Sequence, residues 1–266
     1  MTPTHVSGLR TLRASLRLSV LTFIADPQWL IPSSIAPVIF ALAAFELFRS
    51  AGPGLVLYAI LGAGMMSMWG QTLYGSGWAI GQDRELGTLE PTLGAPAPYL
   101  YVVAGRVLWN AITGLFGGAI VFGVVRLAYG GPIPLQNPLL FAVLFAFVIL
   151  SLAGVGLVFT SIFVYTRYAG FVMNIGEFAF YVLTGCMFAI VLLPFWTNPI
   201  SLLFPPTWAV DALRYVGLQG YQGLSWGLVG DLVGALALTA VYVGAAVLVF
   251  RRVERHVLES GTASDY

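Results

Sequence analysis

Six long apolar runs, separated by shorter polar stretches, set the pattern of this chain. Each run holds about 20 residues or more, and a helix of that length crosses roughly 30 Å of hydrocarbon. The pattern predicts an all-α membrane protein whose transmembrane domain, residues 28–250, contains six helices and is followed by a cytoplasmic tail at 251–266. The predicted spans are residues 28–48, 54–80, 107–127, 138–164, 168–193 and 228–250.

A different periodicity marks the segment before the first span, residues 1–27. Three arginines recur there at helical spacing, and apolar residues occupy another face of the same helix. This arrangement predicts an amphipathic helix that lies in the membrane interface. The segment shows no signal-peptide cleavage site, so we expect it to remain in the mature protein. The arginines are Arg10, Arg13 and Arg17, and the apolar residues are Leu9, Leu12, Leu16, Val20 and Phe23.

The arginines also predict the orientation of the spans. With six spans both termini lie on one side of the membrane, and only Arg49, Arg126 and Arg214 fall on the other side. Because cytoplasmic loops carry the excess of basic residues, both termini are predicted to be cytoplasmic. The arginines on the side of the termini are Arg10, Arg13, Arg17, Arg84, Arg106, Arg167, Arg251, Arg252 and Arg255.

Composition excludes several kinds of site. Hydrophobic residues make up 59% of the 266 positions and charged residues only 9%, too few to cover the surface of a soluble protein. The 12 basic residues are all arginine, and without lysine the chain has neither an ordinary P-loop nor a Schiff-base site. No metal site is predicted, since Cys186 is the lone cysteine and His5 and His256 lie near opposite ends. A net charge of +1 gives no reason to expect nucleic-acid binding.

The connection between the second and third predicted spans carries the strongest local signal, a cluster of charges in an apolar chain. Leucines at i, i+3 and i+7 predict a short amphipathic helix that turns its leucines to the membrane base and its charges to the cytoplasm. Pro91 would limit or kink this helix. The alternative is an ordinary solvated loop that the leucines hold down. The charges are Asp83, Arg84, Glu85 and Glu90, and the leucines are Leu86, Leu89 and Leu93.

The connection before the last span, residues 194–226, is apolar and interrupted by prolines. Its apolar stretch 200–204 is too short to span a membrane and predicts a re-entrant or interfacial piece on the outer side. Asp211 and Arg214 lie three residues apart on a predicted short helix. This spacing favours an exposed ion pair that fixes the segment to the last span.

Polar residues in the second and fifth spans are candidates for a substrate pathway. Glu177 is a carboxylate well inside a predicted span, where it costs about 2.5–3.5 kcal/mol on insertion scales, and this cost favours a function. The alternative is a hydrogen-bonded structural glutamate close to Arg167. Methionines in the second span offer either an adaptable wall for substrates or simple packing. The pathway candidates are Met66, Gln71, Tyr74, Asn174, Glu177 and Tyr181.

Three stretches resemble permeases of the type 2 ABC exporter family. Residues 83–92 are similar to the acidic, arginine and leucine-glycine-threonine pattern that follows the second span in that family. Residues 25–27 with Pro37 are similar to the start of its first span, and residues 204–214 to its proline-to-arginine signature before the last span. The amphipathic N-terminal helix likewise resembles the interfacial connecting helix of the family.

The resemblance implies roles for these stretches. The charged connection would be the coupling helix that contacts an ATPase subunit, and short re-entrant helices carrying Pro205, Pro206, Asp211 and Arg214 would precede the last span. Two permease halves, identical or related, would pair with two ATPase subunits that hold ATP and Mg, and the pathway would run between the halves. The coupling residues would be Asp83, Arg84, Glu85, Leu86, Thr88, Leu89 and Glu90.

The sequence therefore predicts a non-catalytic permease subunit in a bacterial cell membrane, which exports a small hydrophobic or amphipathic substrate while another chain hydrolyses ATP. Within that family, the sequence most resembles drug-export and antibiotic-resistance permeases. The alternatives are an ion- or proton-coupled secondary transporter that uses Glu177, and an exporter of a lipid-linked saccharide. A membrane-embedded enzyme is disfavoured, because the spans lack a histidine cluster, paired carboxylates or a nucleophile with its base.

Overall fold

The structure, a computed structural model, describes residues 7–25, 30–48, 53–95, 97–129, 137–165, 169–187, 190, 193–218, 220–221, 223–224 and 226–260. In these residues the regular structure is helical, which confirms the all-α prediction. His5, Arg49, Arg167 and residues 26–27 lie outside the described residues. The helices are α1 (Gly8–Ala25), α2 (Leu30–Phe48), α3 (Pro53–Glu85), α4 (Leu89–Leu93), α5 (Tyr99–Tyr129), α6 (Pro138–Tyr165), α7 (Ala169–Leu183), α8 (Asn198–Ser201), α9 (Pro205–Gly217) and α10 (Gly227–Ser260).

Among the described helices, three contain stretches that are long and apolar enough to cross a membrane: Tyr99–Ala128, Pro138–Val164 and Gly227–Arg252. These stretches coincide with the predicted third, fourth and sixth spans, although the third begins at Tyr99 rather than at residue 107. Helices α2 and α3 overlap the first and second predicted runs. The membrane character of the protein is thereby supported, and the full six-span layout stays a prediction.

The predicted fifth span, residues 168–193, is wrong in its extent. Helix α7 holds 15 residues and ends at Leu183, so it is about 22 Å long at ~1.5 Å per residue. Gly185 follows with φ of +74°, a left-handed conformation that ends helices and that glycine adopts without steric cost. The chain then turns through Thr184–Cys186 instead of continuing as a helix.

Helix α3 lies at the centre of the described structure and contacts α2, α5, α6 and α7. Small residues bring it close to α5. A Cβ atom added to Gly114 would lie 2.7 Å from the Cα atom of Met68, and Gly118 lies against Gly64. Such contacts let helix backbones approach where lipid offers no hydrophobic drive for association. Gly114 and Gly118, a GxxxG pair, thus pack within this chain.

Helix α1 lies within the predicted N-terminal segment, and its burial pattern shows which side of it faces the protein. Its hydroxyl residues Thr11 and Ser15 are buried against α5, and Ser15 Oγ donates to the carbonyl of Val102 at 2.5 Å. The three arginines Arg10, Arg13 and Arg17 are exposed. Several apolar side chains also point away from the protein, as an interfacial helix requires; they are Leu9, Leu18, Leu21 and Ile24.

The contact between α3 and α5 predicts a contrast between two glycines of α5. We expect Gly114→Ala to lower stability by about 1–3 kcal/mol, because its methyl group meets the α3 backbone, which cannot move aside cheaply. Gly123 has nothing within 4 Å of its added Cβ, so Gly123→Ala should raise stability by up to about 1 kcal/mol through helix propensity. Thermal unfolding of both purified variants in nanodiscs measures the difference. Equal melting temperatures would contradict the packing described.

Candidate functional site

The charged connection forms two helical pieces joined by a turn. Helix α3 continues beyond the predicted span to Glu85, and α4 begins at Leu89. Between them Gly87 has φ of +66°, and the amide of Thr88 donates to the carbonyl of Asp83 at 2.8 Å. The prediction of one amphipathic helix through this stretch is therefore wrong, because a left-handed glycine ends α3 and a second helix starts in a new direction.

Charged side chains tie the end of α3 to two other helices. Asp83, which is buried, forms an ion pair with Arg106 of α5. Arg84 donates through Nη2 to the carbonyl of Val164, one residue before the end of α6. A cation that binds carbonyls at a helix C-terminus also interacts favourably with the helix dipole. Thr88 Oγ1 lies 3.3 Å from Asp83 Oδ1, so the turn is held to the same carboxylate.

The leucines divide between anchoring and exposure. Leu89 and Leu93 are buried in a cluster with Tyr99, Val103 and other residues of α5, α6 and α10, so they anchor α4 to these helices. Leu86 lies on the turn and is 74% exposed, so it is not buried with the other two leucines, and its orientation toward the membrane base stays a prediction. We name the surface formed by exposed residues 85–88 the coupling turn. The side chain of Glu90 lies outside the described residues.

Two of the pathway candidates, both on α7, meet beside α3. Tyr181 of α7 donates through its hydroxyl to Glu177 Oε1. The same two groups face Gly70 of α3, whose added Cβ would lie 3.1 Å from the Tyr181 hydroxyl. The ring of Trp69 stacks on that of Phe180 with centroids 5.7 Å apart. The predicted neighbourhood of the second and fifth spans is thus present as a polar pair beside an aromatic wall.

The individual candidates differ in their surroundings. Met66 is 5% exposed and belongs to the main hydrophobic core, which favours the packing alternative for this residue. Gln71 and Glu177 are partly buried. The side chains of Tyr74 and Asn174 lie outside the described residues.

The connection before the last span, residues 194–226, contains the two short helices α8 and α9. We name this connection the outer segment. Pro205 and Pro206 occupy the first turn of α9, where a missing N–H and a fixed φ favour helix initiation. Trp208 Nε1 donates to the carbonyl of Leu202 at 3.0 Å and so joins the two helices. The predicted helices before the last span are therefore present in the fold, and their re-entry into the membrane stays a prediction.

The predicted ion pair between Asp211 and Arg214 is wrong, because each side chain has other partners. Both are buried, with exposures of 4% and 1%, rather than exposed as predicted. The guanidinium of Arg214 donates to the carbonyls of Gly185 and Cys186, the latter at 2.7 Å, and lies 4.1 Å from the ring centroid of Tyr58. These contacts hold α9 against α3 and against the turn where α7 ends.

Asp211 closes the loop between α9 and α10. Its carboxylate accepts from the hydroxyl of Tyr221 at 2.6 Å and from the amide of Leu224 at 2.8 Å. Burial, followed by the negative charge of Asp211, raises the pKa of Tyr221 above its usual range, so this hydroxyl remains a donor. Sequence reasoning missed Tyr221 and Arg106, although the isolated arginine near the start of the third span was a usable signal for the latter.

Metal chemistry finds no support among the described residues, which contain no group of three or more His, Cys, Asp or Glu side chains placed to hold an ion. Cys186 is buried, with its sulfur 3.3 Å from Thr184 Oγ1. Its surroundings are those of a small packed side chain.

The family described as ABC-2 type transporter matches residues 10–218 of the chain. The matched range includes the coupling turn, the α3–α7 polar pair and most of the outer segment. No curated protein matches the chain. The chain belongs to the ABC-2 type transporter family and is therefore a membrane permease component that works with ABC ATPase subunits.

The lone cysteine makes the Arg214 contacts testable without any added label site. Lysine cannot reproduce the planar two-point donation of arginine, and the lost charged hydrogen bond is worth about 1.5–3 kcal/mol. Arg214→Lys should therefore increase the fraction of time that Cys186 is accessible roughly tenfold or more. The rate at which Cys186 reacts with a membrane-permeant maleimide measures this change. Arg126→Lys, at an exposed arginine, is the control and should leave the rate unchanged. An unchanged rate in Arg214→Lys would contradict this anchoring.

Proposed function

We propose that this member of the ABC-2 type transporter family is the membrane subunit of an ATP-driven exporter, in which a separate subunit hydrolyses ATP. The absence of lysine from the chain excludes an ordinary P-loop here, so ATP and Mg bind the partner. We further propose that two ATPase subunits act on two permease halves in a bacterial cell membrane. Both termini of the chain would be cytoplasmic.

The observation that carries the proposal is an exposed turn on a rigidly held base. The coupling turn offers Leu86 and Glu85 to a partner, and Leu86 is a large apolar side chain that is mostly exposed. Immediately before it, Asp83 and Arg84 bind α5 and α6. Force applied to the turn therefore reaches two further helices without first unfolding a loop.

Apolar packing extends this base below the turn. Leu89 and Leu93 of α4 share a buried cluster with Phe250 of α10, whose ring meets that of Tyr99 edge to face at 5.8 Å. Movement of the coupling turn would displace α5, α6 and α10 together. ATP can bias these positions only if the ATPase dimer binds one arrangement of the permease better than another.

The pair of Glu177 and Tyr181 supports a substrate that is mainly apolar and carries a polar or cationic group. Phe180 and Trp69 supply aromatic surface beside one hydrogen-bonded carboxyl group, the combination that ligand sites use for affinity and orientation. We propose a small hydrophobic or amphipathic substrate, such as a drug or a lipid-like molecule, moved outward. An exporter of a lipid-linked saccharide is the second candidate.

The coupling assignment is tested by changing the turn alone. When an apolar side chain is buried at the centre of an interface, its replacement by a charged one lowers the binding free energy by at least about 1.4 kcal/mol, which is tenfold in affinity. We expect Glu85→Arg combined with Leu86→Asp to weaken copurification with the ATPase encoded beside this chain roughly tenfold or more. Substrate-stimulated ATP hydrolysis should fall in parallel.

The control is Arg126→Glu, a charge reversal at an exposed residue about 30 Å along α5 from Arg106, at ~1.5 Å per residue. It should keep both association and stimulation, and both proteins should insert and melt as the wild type does. Full association and stimulation in the coupling-turn variant would refute the proposed contact.

Glu177→Gln separates the exporter from a proton-coupled carrier. In proteoliposomes containing permease and ATPase, ATP should drive transport even when an uncoupler abolishes the proton gradient. Glu177→Gln should raise the KM for a cationic substrate roughly tenfold, through loss of its charge, with basal ATP hydrolysis unchanged. A carrier would instead move substrate with a proton gradient and no ATP, and Glu177→Gln would abolish that movement.

A further inference from the structure

Asp231, in the first turns of α10, is a buried carboxyl group that forms no ion pair with any described residue. It is 0% exposed, and neither of its oxygens accepts a hydrogen bond from any described residue. An ionised carboxylate in such a place loses its hydration without compensation, at a cost of several kcal/mol. A protonated carboxyl group avoids this cost.

The register of α9 on α10 places this group beside Asp211. Trp208 of α9 lies against Gly234 of α10. Asp211 follows Trp208 by three residues on α9, and Asp231 precedes Gly234 by three residues on α10. Each carboxyl group therefore lies about one helical turn from that contact. Because α9 and α10 pack against each other, this register brings the two carboxyl groups to the same helix interface.

Charge balance identifies which member of the pair is neutral. Asp211 accepts from Tyr221 through one oxygen and from the amide of Leu224 through the other, so both of its oxygens already act as acceptors. The cation of this region, Arg214, is 1% exposed, donates to two backbone carbonyls and faces the neutral ring of Tyr58. One cation matches one carboxylate, so a second ionised carboxyl group would leave an uncompensated buried charge.

We propose that Asp211 and Asp231 form a proton-binding site that joins the outer segment to α10. A proton from water binds Asp231, whose O–H then donates to the carboxylate of Asp211. Loss of that proton leaves two adjacent carboxylates, which can only accept hydrogen bonds and which repel each other. The site therefore holds α9 against α10 only when it is occupied.

Thermal unfolding of the purified permease in nanodiscs tests this site without ATPase or substrate. Because the folded protein would bind a proton that the unfolded chain releases near neutral pH, stability should fall as pH rises. We expect the melting temperature to drop by roughly 3 °C or more between about pH 6 and about pH 9. Asp231→Asn, which keeps an uncharged donor, should remove most of that drop, and Glu177→Gln should keep all of it.

Asp211→Asn provides a second variant if Asp231→Asn fails to fold, and it should also remove most of the drop, since the pair then carries one carboxyl group. A wild-type protein with a flat pH profile would overturn the proposal. A folded Asp231→Asn or Asp211→Asn protein that keeps the wild-type profile would overturn it as well. The proposal also fails if Na⁺ or K⁺ at about pH 9 restores the melting temperature of the wild type but not of Asp231→Asn, because the ligand would then be a metal cation.

Discussion

Arg214 lies buried among apolar helices, and its guanidinium donates to the backbone carbonyls of Gly185 and Cys186. Amides that follow α7 bind the carbonyls of Phe180, Tyr181 and Val182 in its last turn, whereas Arg214 binds the two carbonyls of the turn after it, which burial would otherwise leave unsatisfied. The position of this turn and of α9 therefore depends on one side chain. The ring of Tyr58 under the same guanidinium adds α3 to this assembly.

Helix α3 connects this buried anchor to the coupling turn. With 33 residues from Pro53 to Glu85, it is about 50 Å long at ~1.5 Å per residue. Tyr58 near its start contacts Arg214, and Asp83 near its end pairs with Arg106. Gly70 between them packs on the pair formed by Glu177 and Tyr181. One rigid element thus touches every part of the proposed transport mechanism, which is the arrangement that coupling at a distance requires.

Local patterns in the sequence predicted the elements well and their long-range contacts poorly. Apolar runs located the helices, and leucine spacing identified Leu89 and Leu93 as anchors, because both signals depend only on helix periodicity. The end of α7 was missed, since no local feature except Gly185 opposes a longer helix and the turn that follows is held by Arg214, 28 residues after Cys186. The expected pairing of Arg214 with Asp211 failed for the same reason: partners from other elements replaced the local one.

The small number of charged residues makes it possible to account for each buried charge individually. In a chain with 9% charged residues, each buried charge has to be matched by an opposite charge or by dipoles, because lipid offers neither. Arg106 matches Asp83 through an ion pair, backbone carbonyls receive Arg214, and donors from Tyr221 and Leu224 serve Asp211. Asp231 breaks this pattern among the described residues. Of all the groups that could neutralise it, a proton is the smallest and needs no further side chain, so a carboxyl pair is the arrangement that fits the space between α9 and α10.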